Sequence, residues 1–291
     1  MANEPANPPY FDGLLRRLAA KDPRTVAAFG RHVHWGYWQD PSRATCSPEE
    51  YGAAAERLCR AVCDAAPVRD GMRIIDVGCG FGGTLASLNE RFSELQLVGL
   101  NIDSRQLERA AENVRPQHGN SIEFLEADAA CIPLPDESFD VVLAVECVFH
   151  FDRQRFFAEA GRLLGRGGNL TLSDFVPSQR ALEYLDTIDL SADEGIRWSY
   201  GEFDLTCSMS RYRELAQANQ LVLRDAIDIT DNTLPTYEFL YSSTAGWPNR
   251  REIELFNRAT RLLEKSCRKG LMGYHILRFA QLNHSNSDRE P

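Results

Sequence analysis

Two residues of this 291-residue chain, His150 and Asp174, have side chains that can carry a proton and lie at or just beyond the ends of apolar runs. The run 139–146 precedes His150, and the run 170–175 contains Asp174 near its end. If these runs form neighbouring parallel strands, both side chains lie at the carboxyl edge of the sheet, where open α/β folds bind ligands. An imidazole there suits removal of a proton from a hydroxyl, and a nearby carboxylate would orient the ring or act as the base. The plainer interpretations are a helix-capping or core histidine and a turn aspartate.

A glycine-rich turn precedes these residues in the chain. Asp76, near the end of an apolar run, is followed at two-residue intervals by Gly78, Gly80 and Gly82. An apolar run that ends in glycines and continues with helical spacing indicates a strand, a turn and the start of a helix. Because glycines let a ligand approach the backbone, the turn predicts a nucleotide-type site. Its spacing differs from the G-x-G-x-x-G turn of dinucleotide-binding folds.

A second apolar run, which begins at residue 95, ends in polar side chains. Asn101 and Asp103 lie at its end, where a doubly wound fold brings a polar side chain to the ribose of a bound cofactor. Either side chain can accept a hydrogen bond from a ribose hydroxyl. Both residues are therefore candidates for binding a cofactor.

The order of these features resembles the class I S-adenosylmethionine-dependent methyltransferases. Four segments resemble motifs of that family: the acid-x-Gly-x-Gly-x-Gly turn, 126–130, 139–146 and 163–174. The resemblance implies S-adenosylmethionine as cofactor and S-adenosylhomocysteine as product. It also implies that Asp128 receives the adenine amino group and that the backbone amide of Ala129 meets a ring nitrogen. The family most often has an acid at the position of Asn101, so the chain departs from the majority pattern there.

The aromatic segment 34–38, which reads His-Trp-Gly-Tyr-Trp, lies ahead of the glycine turn. It resembles the arm that several small-molecule methyltransferases fold over bound cofactor, and the plainer interpretation is an arm packed on the core. The resemblance implies that Tyr37 or Trp38 closes on the methionine end of the cofactor, excludes water and faces the sulfonium with an aromatic ring. Glu146 is expected to support its loop or the cofactor.

The expected fold is α/β, a Rossmann-like doubly wound sheet with an N-terminal helical arm and a cap insertion. Strand and helix signals alternate over 73–174, as in a parallel sheet with right-handed crossovers. The resemblance implies seven strands with the last one antiparallel. The expected organisation is a helical arm or lid at 1–66, a methyltransferase core at 67–283 with its cap insertion at about 176–208, and a loose tail at 284–291.

Composition limits the partners. With 32 Lys and Arg against 42 Asp and Glu, the net charge is −10, whereas phosphate backbones are bound by clustered basic side chains. A small neutral or cationic acceptor fits better, neither nucleic acid nor a membrane is expected as a partner, and a homodimer stays open. The sequence has no recognisable signal peptide or membrane span, so the cytoplasm is the default location. The eight cysteines form no Cys-x-x-Cys pair or zinc-like group, so no metal site is expected.

These features predict methyl transfer to a hydroxyl of a small secondary metabolite, with His150 as general base assisted by Asp174. The segment 146–151 and the aromatic arm most resemble bacterial natural-product methyltransferases that act on deoxysugar or polyketide hydroxyls, in which the matching His and Asp positions are the proposed base pair. Three alternatives stay open: N- or C-methyl transfer by proximity alone, an NAD-dependent oxidoreductase, and a non-catalytic binding protein on the same scaffold. The oxidoreductase would need the other glycine spacing and a catalytic set that we cannot place in this chain.

Overall fold

The computed structural model describes most of the chain. Its described residues are 9–185, 193–201, 204–244, 247 and 249–282. The expected loose tail, 284–291, and two parts of the expected cap insertion, 186–192 and 202–203, lie outside the described residues.

One mixed sheet organises the described part of the chain. Its strands are β1 (Arg73–Val77), β2 (Gln96–Asn101), β3 (Ser121–Glu126), β4 (Phe139–Val145), β5 (Leu164–Pro177), β6 (Leu221–Asp228) and β7 (Met272–Gln281). They stand in the order β3-β2-β1-β4-β5-β7-β6. The first five strands pair in parallel, whereas β7 runs antiparallel to both β5 and β6. This confirms the expected doubly wound α/β sheet with an antiparallel last strand.

Helices connect the strands and precede the sheet. They are α1 (Pro9–Ala19), α2 (Pro23–Phe29), α3 (Pro48–Ala65), α4 (Gly83–Arg91), α5 (Ser104–Asn113), α6 (Arg153–Leu163), α7 (Gln179–Leu185), α8 (Glu194–Tyr200), α9 (Met209–Ala218), α10 (Thr230–Thr233), α11 (Pro235–Ser243) and α12 (Arg250–Arg268). None of the helices in the described ranges is both long enough and apolar enough to cross a bilayer.

The side chains of β1 explain why the core has two layers. Ile74 packs with Leu85 and Leu88 of α4 in one hydrophobic cluster, whereas Ile75 packs with Phe156 of α6 in another. Successive side chains of a strand point to opposite faces, and a central parallel strand is covered on both. Helices therefore hold the sheet from both sides, which leaves its strand ends to form a site.

The carboxyl ends of β1 and β4 mark the point where the strand order reverses. The chain leaves β1 toward β2 and β3, then returns to the other side of β1 as β4. Ligands of open α/β sheets bind at such a switch point. The glycine turn follows β1 and the segment with His150 follows β4, so the topology brings both to one place.

Candidate active site

A cavity of about 710 Å³ opens at this switch point, a size typical of small-molecule sites. Its lining falls into two groups. The loop lining comes from the turns after β1 to β3 and includes Gly78, Gly80, Thr84, Asn101, Asp128 and Ala129. The aromatic lining comes from the arm, from the segments that follow β4, and from β5, α11, α12 and their connection, and it includes Trp35, Phe149, Phe175, Phe239, Trp247 and Phe256.

The glycine turn faces the cavity through Gly80. Gly80 has a φ of +54°, and a side-chain carbon built there would meet Val33 of the arm at 3.4 Å, an ordinary contact distance, so no atom of the described residues fills the space beside it. Gly78 also lines the cavity, but a side chain there would first collide with the Sγ of Cys147, at 2.7 Å. Gly82 does not line the cavity: it packs closely against α5. The backbone of Gly80 is therefore open to the cavity, whereas Gly82 packs the turn against α5.

Asp76, near the end of β1, precedes the glycine turn; it is buried, with 2% of its surface exposed, and it does not itself line the cavity. Neither carboxylate oxygen meets a donor at full hydrogen-bond geometry in the described part of the chain. Burial raises the pKa of Asp76 to about 7, and the adjacent Thr84 hydroxyl only partly opposes this. A buried carboxyl without a counter-charge is costly, and it favours a positively charged ligand nearby. S-adenosylmethionine carries two positive groups, an ammonium and a sulfonium, and is therefore a ligand compatible with the carboxyl of Asp76.

The two candidates for the ribose separate in the structure. Asn101 lines the cavity, where its amide donates to Oε1 of Gln106 at 3.3 Å and its oxygen accepts the backbone N–H of Asp103 at 3.2 Å. Asp103 does not line the cavity, and its carboxylate instead caps α5 and pairs with Arg105 at 3.0 Å. The assignment of Asp103 to the ribose is corrected, because a cap carboxylate satisfied by α5 is turned away from the ligand.

The expected adenine residues, Asp128 and Ala129, both line the cavity. Asp128 is exposed, and one of its oxygens accepts the backbone N–H of Ala130 at 2.8 Å. Sequence reasoning missed two neighbours in this lining, Gln106 and Ile102, the latter with 46% of its surface exposed. The sequence signal for Ile102 is an apolar side chain between two polar ones at a strand end.

The residues of the aromatic arm that line the cavity differ from the expected ones. Trp38 is buried, its indole N–H donates to Glu50 at 2.8 Å, and it does not line the cavity. Tyr37 also lies outside the lining and packs beside α3. His34 and Trp35 of the same segment line the cavity instead. The expectation for Tyr37 and Trp38 is corrected: the backbone N–H of Tyr37 donates to a backbone carbonyl of α3, and Glu50 at the start of α3 supplies the carboxylate that the buried indole of Trp38 needs.

A series of hydrogen bonds between largely buried side chains connects this arm to α3 and α4. His32 contacts Glu56 of α3 at 2.8 Å, and its other ring nitrogen lies 3.1 Å from His34. Glu56 also accepts a hydrogen bond from Ser87 of α4 at 2.8 Å. Burial lowers the pKa of His34 to about 3, so this ring is neutral. The His-x-His spacing in front of the arm was the sequence signal for this anchor.

His150 ends the short 3-10 turn that follows β4, and it lines the cavity with an exposed side chain. Its ring lies beside Phe149, with 4.5 Å between ring centroids. The backbone N–H of Asp204 donates to the carbonyl of Phe149 at 2.8 Å, which holds the turn. The structure thus brings His150 and the glycine turn to the same cavity.

Asp174 is fully buried and does not line the cavity. One carboxylate oxygen pairs with Arg153 at 2.8 Å and accepts the hydroxyl of Tyr212, and the other accepts the backbone N–H of Phe175 at 2.7 Å. The expectation that Asp174 orients His150 or acts as a base is corrected. Because side chains alternate along β5, Phe175 reaches the cavity and Asp174 points to the opposite face, toward α6 and α9.

Glu146 lies in the cavity wall between the loop lining and the aromatic lining. Its Oε2 accepts the backbone N–H of Trp35 at 3.0 Å and the hydroxyl of Tyr274. Burial raises the pKa of Glu146 to about 8 against these two hydrogen bonds. The bond to Trp35 ties the segment after β4 to the arm.

Within the described ranges, no group of three or more His, Cys, Asp or Glu is arranged to hold a metal ion. All eight cysteines are free, and burial raises the pKa of Cys79 and Cys147 beside the glycine turn. These thiols act as small apolar groups in the packing.

Comparisons with known proteins identify the family of the chain. A family model described as a methyltransferase domain matches residues 75–172. Methyltransferase GfsG of Streptomyces halstedii is 32% identical over 212 residues, which are 72% of this chain and 73% of that protein. The 27-O-demethylrifamycin SV methyltransferase of Amycolatopsis mediterranei is 37% identical over 159 residues, which are 53% of this chain and 56% of that protein.

The fold has solved counterparts as well. The crystal structure of the [4+2]-cyclase SpnF superposes with a TM-score of 0.70 at 25% identity, and the match covers 93% of this chain and 95% of that one. The glycine turn, the uncompensated Asp76 and the loop lining fit S-adenosylmethionine as the cofactor, and the matched relative covers most of the chain. The chain therefore belongs to the class I S-adenosylmethionine-dependent methyltransferases, as its sequence motifs predicted.

Proposed function

We propose that this enzyme methylates a hydroxyl group of a small natural product, with His150 as the general base. The observation that carries the proposal is the position of His150, whose imidazole lines the same cavity as the glycine turn and the aromatic lining. A hydroxyl has a high pKa and needs a base to become a nucleophile, whereas alignment suffices for a neutral amine. Asp174 has no part in this proposal as a base.

In this proposal, different residues bind the cofactor, bind the acceptor and remove the proton. S-adenosylmethionine, when bound, supplies an activated methyl group on its sulfonium. Gly80 gives the cofactor room at the backbone, and Asn101 and Asp128 offer polar groups to its nucleoside part. The aromatic lining excludes water and fixes the acceptor. His150 then removes the hydroxyl proton as the new bond forms.

Two observations support a class of acceptor: the aromatic lining of the cavity and the name of the Amycolatopsis relative. The aromatic lining suits an acceptor with a large apolar surface. The Amycolatopsis relative is named for an O-demethylated natural product, rifamycin SV. We infer an acceptor of the same broad kind, a secondary metabolite with a free hydroxyl.

The test uses a metabolite extract and 27-O-demethylrifamycin SV, each incubated with S-adenosylmethionine whose methyl group carries deuterium. Mass spectrometry then identifies any product that gains the labelled methyl on oxygen. With the acceptor found, His150→Ala should lower turnover by roughly 10²- to 10⁴-fold and leave cofactor affinity unchanged. His118→Asn is the matched control, since His118 is an exposed turn histidine outside the cavity lining. Near-parental turnover of His150→Ala would contradict the proposal and favour an amine acceptor methylated by proximity.

A further inference from the structure

Among the described residues, the carboxyl group of Glu146 lines the cavity without a cationic partner. Glu146 accepts hydrogen bonds only at Oε2, from Trp35 and Tyr274, and within the described part of the chain its Oε1 accepts none. The residue also holds a φ of +52°, a strained conformation for a non-glycine. Strain of this kind persists where the surroundings fix it, and it concentrates at functional sites.

Among the described residues, the titratable side chains that interact with Glu146 are tyrosines, a thiol and a carboxylate, and none of these is a cation. Its titratable neighbours are Tyr274 of β7, Tyr200 of α8, Tyr237 of α11, Cys147 after β4 and Asp174 of β5. Burial raises the pKa of Glu146, and the negative charge of Asp174 raises it further. Within the described part of the protein, no cationic side chain pairs with this carboxyl.

The walls beside this carboxyl are aromatic. Trp35 meets Phe175 edge to face with ring centroids 4.7 Å apart, and Phe175 meets Tyr274 in the same way at 4.8 Å. Trp35, Phe149 and Phe175 line the cavity together with Glu146. Aromatic faces attract cations, most strongly where water is excluded. The net charge of −10 also attracts cations to the protein as a whole.

We propose that Glu146 is a specificity-determining residue that binds a protonated amine of the acceptor against the aromatic lining. This inference rests on the proposed function, because it narrows the acceptor to a natural product with a basic nitrogen besides the hydroxyl that is methylated. The ammonium would donate to Oε1, which accepts no hydrogen bond from the described residues, while Trp35 and Tyr274 still donate to Oε2. Binding would then release the proton that the buried carboxyl carries at neutral pH.

The experiment measures binding and leaves methyl transfer aside. Two probes of the same shape, 2-naphthylmethylamine and 2-naphthalenemethanol, are titrated by calorimetry into protein saturated with S-adenosylhomocysteine. The amine should bind about tenfold tighter or more than the alcohol. Repeating the titration in buffers of different ionisation enthalpy should show proton release with the amine below about pH 8 and less above it. Equal binding of the two probes, or no binding of either, would overturn the proposal.

Variants of Glu146 distinguish binding of the acceptor amine from binding of the cofactor. Glu146→Gln keeps an oxygen for Trp35 and Tyr274, and it should reduce amine binding to the level of the alcohol, abolish proton release and leave S-adenosylhomocysteine affinity unchanged. Glu123→Gln, an exposed carboxyl on β3, is the matched control and should change nothing. A loss of S-adenosylhomocysteine affinity in Glu146→Gln would assign the carboxyl to the cofactor and overturn the proposal. Amine binding without any O-methylation would refute only the proposed function.

Discussion

Arg153 and Asp174 form an ion pair 2.8 Å apart underneath the cavity, with 5% and 0% of their side chains exposed. Arg153 also pairs with the carboxylate of Asp204 at 2.6 Å. The backbone N–H of Asp204 in turn holds the carbonyl of Phe149, next to His150. The ion pair thus joins β5 to the turn that presents His150, and Asp174 supports the site without facing it.

Removal of this carboxylate should therefore be seen first in stability. We expect Asp174→Ala to lower the free energy of unfolding by about 3 to 5 kcal/mol, because it leaves a buried guanidinium without its main partner. Urea denaturation measures the loss. Glu214→Ala, which breaks the exposed pair of Glu214 with Arg211, should cost less than about 1 kcal/mol. A stable Asp174→Ala protein with no turnover would instead restore Asp174 as a base.

Gly80 should be essential for the cofactor and dispensable for the fold. In Gly80→Val the side chain fills space that faces the cavity, so S-adenosylmethionine affinity should fall by at least about 100-fold. Gly167→Val is the control, because Gly167 also has a positive φ, +77°, but has nothing within 4 Å of an added carbon. Both variants carry backbone strain, and calorimetry should find the loss of binding only in the first. Unchanged affinity in Gly80→Val would refute the role of the turn.

The nucleoside contacts should differ in strength. Asp128→Ala should weaken S-adenosylmethionine binding by about 1.5 to 3 kcal/mol, and Asn101→Ala by about 1 kcal/mol, since charged hydrogen bonds are the stronger ones. Asp103→Ala should instead cost about 1 kcal/mol of stability through the lost cap of α5. Calorimetry and thermal unfolding measure the two effects. A larger loss of binding in Asp103→Ala than in Asp128→Ala would contradict the placement of these residues.

The arm anchor should make stability depend on acid. Burial opposes ionisation of Glu56, but hydrogen bonds from His32, Arg60 and Ser87 prevail and lower its pKa to about 2. Because the pKa of Glu56 is lower in the folded than in the unfolded protein, its ionised carboxylate stabilises the fold at pH values above the unfolded pKa. This stabilisation is lost as the pH falls toward 2. Glu56→Gln should cost about 1 to 2 kcal/mol at pH 7, because solvent screens part of the interaction, and less at pH 3. Urea midpoints that shift equally at both pH values would contradict this.

The sequence by itself determined the features that depend on neighbouring residues. The alternation of apolar strands and helical segments predicted the doubly wound sheet, because each element needs its own hydrophobic period. The spacing of Asp76 and Gly80 predicted the cofactor turn, because glycine adopts the positive φ values of a tight turn with the least strain. Strand order then placed His150 at the same edge.

Only the tertiary structure decided which side chains reach the cavity. Asp174 and Phe175 are adjacent in the chain, yet their side chains lie on opposite faces of the sheet because side chains alternate along β5. The carboxylate of Asp174 forms an ion pair with Arg153. The partners of Glu146 come from the arm, 111 residues earlier, and from β7, 128 residues later. Contacts between residues so distant in the chain leave no local pattern, because they arise from the packing of whole elements. A carboxyl's neighbours set its pKa and its role, so the role of Glu146 emerged only in the folded chain.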